Sequence, residues 1–253
     1  MTSERIQILE RLADVGANAW NTLAGINPFL RHEFLSNLES SGCVCAETGW
    51  EPRHILIWRG ASLVGAMPLY LKHHSYGEYI FDWAWADAYH RHGLNYYPKL
   101  SSAIPFTPVS GARLLSDDAS ICAMLTSAAL TLAKETQVSS LHILYPTGIQ
   151  AESLKSAGFM LRNSTQFHWH NRSYDTFDTF LAEMSHDKRK RIKQERRKLA
   201  EQDIRFEILE GAEISAADWQ FFNRCYRTTY QLHHSSPYLN MEFFLSLGRD
   251  MPE

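Results

Sequence analysis

The chain has 253 residues, 45% hydrophobic and 21% charged, a composition that excludes a disordered or collagen-like polypeptide. A formal net charge of −3 removes any global electrostatic case for nucleic acid or an anionic membrane as partner. At this length about 70% of the unfolded surface can be buried, so neither a disulfide nor a metal is needed to hold a core.

The opening MTSERIQILERL is charged and amphipathic and lacks the apolar core of a signal peptide. Residues 4–14 and 28–40 have helical spacing. Asn27 can cap the second helix, Pro28 suits its first turn and Gly42 can end it. Cys43, Cys45, Cys122 and Cys225 show no paired metal-ligand spacing and no CxxC, so they read as idle thiols of a reducing compartment. His54 to Trp58, a turn at Arg59-Gly60 and the apolar run Ser62 to Leu71 predict a hairpin. Ala119 to Ala133 is the longest apolar-rich uncharged stretch; its fifteen residues fall short of the roughly 20 that span a bilayer. It predicts a buried helix over 117–136, and the protein is expected to be cytoplasmic. Next come a strand over 139–145, a helix over 149–157 closed by Gly158, and an alternating strand over 166–171. Phe177, Phe180, Leu181 and Met184 have helical spacing. A basic run follows, then a strand over 204–209, a helix opened by Ser215 to Asp218, and a last helix from about Asn240. This order predicts an α/β fold, an α+β arrangement on a mixed sheet.

One pattern is internal. Asn27–Leu38 and Ser236–Leu247 align without gaps, with five of twelve positions identical: Pro28/Pro237, Leu30/Leu239, Glu33/Glu242, Phe34/Phe243 and Leu38/Leu247. If this is a duplication, the first copy leads into the hairpin at 54–71, while the second leads only to the last residues. The expectation is a first unit over 1–174, a connecting segment with a basic helix over 175–202, and an incomplete second unit over 203–253. An unfinished unit leaves strand N–H and C=O groups unpaired, so a truncated protein or a completing partner or oligomer is expected.

The stretches SGCVCAETGWEPRH, LVGAMPLYLKHHSYGEYIFDWAWADAYHRHGLNYYPKL, IPFTPVSGARLL, QFHWHN and KRKRIKQERRK together resemble one family. It is the bacterial group of predicted N-acyltransferases related to the FemAB-like peptidoglycan aminoacyltransferases. The resemblance runs from about Asn27 to Phe244. It implies two tandem units with the fold of the GNAT (Gcn5-related) acetyltransferases, here one complete unit and the beginning of a second. It also implies transfer of an acyl or aminoacyl group to an amine, with a small molecule or a cell-wall precursor as acceptor. Fem enzymes draw on aminoacyl-tRNA; acyl-CoA is the other possible donor. An acetyl-CoA site needs a Q/R-x-x-G-x-G/A loop whose N–H groups cradle pyrophosphate at a helix N-terminus. The nearest stretch, Val109 to Arg113, has one glycine. No cofactor is identified.

Tyr70 to Tyr97 holds nine of the chain's aromatics, with His73, His74, His90 and His92 and the acids Glu78, Asp82 and Asp87 interleaved. Strand periodicity would put Phe81, Trp83 and Trp85 on one face and Asp82 on the other. The functional reading is a pocket wall, with Tyr76, Glu78, Trp83, Trp85 and Arg91 holding substrate; the same residues also suit an aromatic core edge with solvated acids. Direct acyl transfer needs a base and oxyanion donors but no covalent intermediate. The base candidates are Asp82, Asp87 and His90, with Asp82 first because Phe81 and Trp83 could desolvate it. His73-His74, His90-x-His92 and His168-x-His170 lack further ligands at metal spacing, so no metal is expected. The run 185–202 holds eight Lys or Arg and three acids. It reads either as a charged linker helix or as a phosphate-binding one. Helix geometry sets Arg189, Lys193, Arg196 and Arg197 along one side, spaced to meet successive phosphates, and the Fem resemblance implies that these belong to tRNA or a phosphorylated acceptor. A non-catalytic module for RNA or a phosphorylated ligand is the rival reading.

Overall fold

The computed structural model describes residues 3–202 and 204–252. In chain order the elements are β1 (Glu4–Leu9), α1 (Ala17–Ala24), α2 (His32–Ser40), β2 (Trp50–Pro52), β3 (His54–Arg59), β4 (Ser62–Met67), β5 (Tyr70–Lys72), α3 (Trp83–Arg91), β6 (Lys99–Ser102), α4 (Ala119–Glu135), β7 (Leu141–Ile143), α5 (Gly148–Ser156), α6 (Phe177–Ala182), α7 (His186–Ala200), α8 (Ala216–Leu232) and α9 (Met241–Asp250). They form two compact units. One holds the chain up to Met160 and from Glu210 onward; the other is Leu161–Leu209.

The larger unit carries two sheets. β1, β3 and β4 make an antiparallel sheet in the order β1-β3-β4. β2, β5, β6 and β7 make the other, antiparallel except for the parallel β6–β7 pair, which α4 connects. A mixed α/β fold is therefore present, as the order of elements predicts.

The central strand β3 is buried on both faces from His54 to Ile57, which explains why it is apolar at consecutive positions rather than alternate ones. Ile55 and Ile57 pack with Met67, Leu100 and the α4 residues Ile121, Leu125 and Ala129. Leu56, Ala66, Trp50 and Tyr70 pack on the opposite side with Trp20 of α1, with Leu35 and Leu38 of α2, and with Phe243 and Phe244 of α9. Gly65 is required where β4 meets α4, since a Cβ there would run into Ile121. The two helices whose sequences match touch one another. The Phe34 and Phe243 rings meet edge to face at 5.7 Å, and Asn240 Nδ2 donates to the Ser41 carbonyl at 2.6 Å. Asn240 also caps α9, its side chain accepting from Phe243 N.

Several local expectations are corrected. Residues 4–14, expected as a helix, begin with strand β1. Ile6 and Ile8 alternate there, and six ladder positions against β3 outweigh a local helical preference. The run 62–71 divides into β4 and β5, in different sheets, with Pro68 at the break because it has no N–H to donate. The segment taken with strand periodicity at 81–87 runs into α3, which begins at Trp83, so Phe81, Trp83 and Trp85 do not share a strand face. Segments 166–171 and 204–209, expected as strands, form no ladder among the described residues.

The smaller unit is a short helical hairpin of α6 and α7 with an aromatic cluster. Trp169, Tyr174 and Phe180 lie within 6.2 Å of one another by ring centroid, and Phe177 joins through Phe180. Leu181 is the buried residue of α6, and α7 has none.

Candidate functional site

The four-stranded sheet has two chemically opposite faces. Register aligns Leu71, Leu100 and Leu141 on the face covered by α4. One residue along each strand, the other face carries Trp50, Tyr70, Lys72, Lys99, Ser101 and His142. Lys72 and Lys99 are direct cross-strand neighbours, and both are fully buried. Like charges side by side on a sheet repel, and buried charge is tolerated only when paired.

The segment between β5 and β6 supplies the pairing. Lys99 Nζ donates to Glu78 Oε2 at 2.7 Å and also to Asp82 Oδ2; the three side chains are at most 1% exposed. Asp82 stands at the N-cap position of α3, yet its carboxylate makes no cap bond and turns to Lys99 and Ser75. Ser75 in turn shares a hydrogen bond with Tyr97 Oη at 2.6 Å. Lys72 Nζ donates to the carbonyls of Gly49 and Tyr76, at 3.0 and 3.4 Å, and sits 3.5 Å above the Trp50 ring. Burial pushes its ammonium down to about 6, Glu78 opposes that shift, and Lys99 adds to it. Burial likewise raises the Glu78 carboxyl against the pull of Lys99 and Lys72.

Two atoms in this cluster are left without a hydrogen bond, Glu78 Oε1 and Ser101 Oγ. Ser101 lies beside the carboxyl and favours its charged form, but without regular bond geometry. An unsatisfied buried carboxylate oxygen costs about 1–3 kcal/mol or more, so it marks a place where a donor is expected.

The backbone around Glu78 is strained. Tyr79, Phe106 and Tyr145 have φ of 58°, 59° and 53°, a region that bulky L-residues rarely enter. Tyr79 lies in the segment that carries Glu78, and the other two contact that segment. Tyr145 Oη donates to the Tyr79 carbonyl at 3.3 Å, and Phe106 N donates to the Gly77 carbonyl at 3.1 Å. Burial and the charge of Glu78 both raise the Tyr145 phenol. Gly77 has φ +80°, and a Cβ there would lie 2.6 Å from the Phe106 ring. Phe106 stacks on Tyr238 at 5.0 Å, so the stretch before α9 braces the loop from outside.

The remaining sequence-stated candidates are placed differently. Asp87 and Arg91 form an exposed i,i+4 ion pair at 2.7 Å on α3, and His90 is exposed beside them. Tyr76, Trp83 and Trp85 are about half exposed. On α7, Arg189 donates to the Ala182 carbonyl, Lys193 pairs with Asp178 at 2.7 Å, Arg196 lies over Phe177, and Arg197 approaches Glu201 at 3.8 Å. The basic side is thus interrupted by acids, and all four cations are engaged within their own unit. Among the described residues no three metal-ligating side chains gather, and no helix is long and apolar enough to cross a membrane.

Sequence reasoning missed Lys72, Lys99, Ser101 and Tyr145. The signal for the lysines was present: Tyr70-Leu-Lys72 and Lys99-Leu-Ser101 alternate in a way that sends both lysines to the face opposite the leucines.

The stretch Val109 to Arg113 lies between β6 and α4. Gly111 N donates to the Tyr145 carbonyl, and Arg113 N donates to Gln150 Oε1. Arg113 is fully buried, its guanidinium donating to the Val109 and Ala112 carbonyls, and burial pushes it down to about 10. Asp118 caps α4 by accepting from Ser120 N at 2.8 Å. A carboxylate occupying the helix N-terminus opposes a pyrophosphate there. A groove of about 400 Å³ between β1 and α4 is lined by Ile6, Ile8, Met124, Leu132 and Glu135; with Glu135 its one ionisable group, it offers shape without convergent chemistry.

Compared with known proteins, the chain matches the FemAB-like family, described as peptidoglycan biosynthesis/recognition, over residues 11–253. No curated protein and no solved structure matches it.

Proposed function

The chain belongs to the FemAB-like family, whose members are peptidoglycan-related transferases of aminoacyl groups, and from that premise we propose that it is an N-acyltransferase in which Glu78 receives the proton of the acceptor amine. The carrying observation is the unpartnered Glu78 Oε1. Its carboxyl is held above the usual range by burial, as a general base near neutrality requires. Asp82, the first candidate from sequence, is committed to Lys99 and Ser75, and it positions the lysine that holds Glu78 Oε2.

In the proposed reaction the neutral amine attacks the donor carbonyl. The N–C bond forms as the bond from carbon to the leaving oxygen or sulfur breaks. The amine proton passes to Glu78 Oε1 and then to the leaving atom. Glu78 is buried, so the amine reaches it only when its segment, tied by the Tyr145 hydrogen bond to the Tyr79 carbonyl, moves. The donor reading favours an aminoacyl ester over acyl-CoA, since Asp118 fills the N-terminus of α4 and the N–H groups of Val109, Gly111 and Arg113 are spent on the protein. The two matching helices support the reading of two related units, and the acceptor class is a cell-wall precursor carrying a free amine.

The test is Glu78→Gln, with transfer of labelled amino acid from aminoacyl-tRNA to a cell-wall peptide precursor as readout. The expected result is a loss of about 10²-fold or more in kcat with KM little changed. Turnover equal to the unmodified chain, in a variant that melts as a folded protein, would overturn the assignment.

A further inference from the structure

The loop that carries Glu78 also presents an unusual surface. From Tyr76 to Trp85 the large exposed apolar side chains are all aromatic: Tyr76 at 50%, Tyr79 at 46%, Phe81 at 47%, Trp83 at 48% and Trp85 at 49%. Half exposure means that each ring rests on the protein and offers part of its surface to solvent. Phe81 and Trp83 are nearly parallel, 8° apart with centroids at 5.5 Å, and Tyr76 meets Trp83 edge to face at 5.3 Å. The group is tied to the buried cluster, because the Tyr76 carbonyl accepts from both Lys72 Nζ and Trp50 Nε1.

We propose that Tyr76, Phe81 and Trp83 form a platform for a saccharide ring of the acceptor, a reading that rests on the transferase function above. The C–H groups on one face of a pyranose carry slight positive charge, and aromatic faces carry the complementary negative quadrupole. The hydroxyls at the ring edge need donors and acceptors close by, and α3 supplies Asp87, His90 and Arg91 beside the platform. Charge argues against a lipid surface. Interfacial helices are rich in Lys and Arg, whereas the lone arginine of α3 is neutralised by Asp87. An interfacial helix also needs a continuous aliphatic or aromatic side, and Trp83 and Trp85, two residues apart on a helix, point in different directions.

The experiment titrates the full chain with N,N′-diacetylchitobiose, following tryptophan fluorescence and saturation transfer from protein to sugar by NMR. Binding in the millimolar range is expected, weakened about tenfold by Trp83→Ala, the loss of one stacking face. Phe81→Ala is the second variant, and thermal melts confirm that both fold. No saturation transfer, or binding unchanged in both folded variants, overturns the platform. Sedimentation with phosphatidylglycerol–phosphatidylcholine vesicles in the absence of sugar binding overturns it in favour of a membrane surface. Because this assay reads sugar binding and not turnover, loss of the platform leaves the Glu78 assignment to its own test.

Discussion

Replacing Lys72 by methionine isolates a strongly displaced titration. The ammonium of Lys72 titrates at about 6 in the fold, against 10.5 for a free lysine. Between those values the unfolded chain binds a proton that the folded chain does not. Stability contributed by this group therefore rises with pH across the window, is complete above 10.5, and is lost as pH falls toward 6. The slope is about 1.4 kcal/mol per pH unit, so raising pH from about 7 to about 9 should stabilise the unmodified chain by about 2–3 kcal/mol relative to Lys72→Met. Methionine keeps the stem against Trp50, and taking the difference between two proteins cancels the titrations that do not feel Lys72; those of Glu78 and His74 do feel it. The assay is urea unfolding of both proteins at three pH values in that range. Parallel stability curves would refute the reasoning. They would mean that the Gly49 and Tyr76 carbonyls, the Trp50 face and Glu78 together keep the ammonium charged in spite of its burial.

Two further substitutions test the packing around the cluster. Lys99→Met leaves two buried carboxyls without their shared cation and should cost about 3–5 kcal/mol in a denaturant melt at neutral pH; a loss under about 1 kcal/mol would mean that the ion pairs contribute little. Gly77→Ala puts a Cβ 2.6 Å from the Phe106 ring at a backbone φ of +80° and should cost about 1–3 kcal/mol, and a thermal midpoint equal to the parent's would contradict the required close approach.

Elements with strong local signals were legible in the sequence. Ser215 with Asp218 forms a capping box on α8, Asn240 caps α9, and the uncharged stretch from Ala119 becomes α4. The failures occur where a distant partner decides the outcome. The charged first residues become β1 because β3 offers a ladder, a pairing some fifty residues away that no window reveals. The segment 81–91 is aromatic, with Ala84, Ala86 and Ala88 interspersed; the alanines favour a helix, but the alternation of rings resembles a strand. The site was half legible. Its acids stood out among aromatics, whereas the lysines that bind them lie on strands 27 positions apart in sequence and meet only through the β5–β6 register.

The choice of Glu78 over a purely structural role for the cluster rests on what such clusters cost. Two lysines and two carboxylates buried together are often no more stabilising than well-packed apolar residues of equal volume. A sheet selected for stability alone would continue the leucines of its other face. Here the charges come with three left-handed tyrosine and phenylalanine residues, each an energetic cost, one in the segment that carries Glu78 and two in contact with it. A structural quartet would also use every oxygen. Asp82 does serve Lys99 and Ser75, but Glu78 Oε1 is left with only the Ser101 hydroxyl beside it, without regular bond geometry. Strain and an open acceptor on the same short segment are what binding and proton transfer require, and neither adds stability.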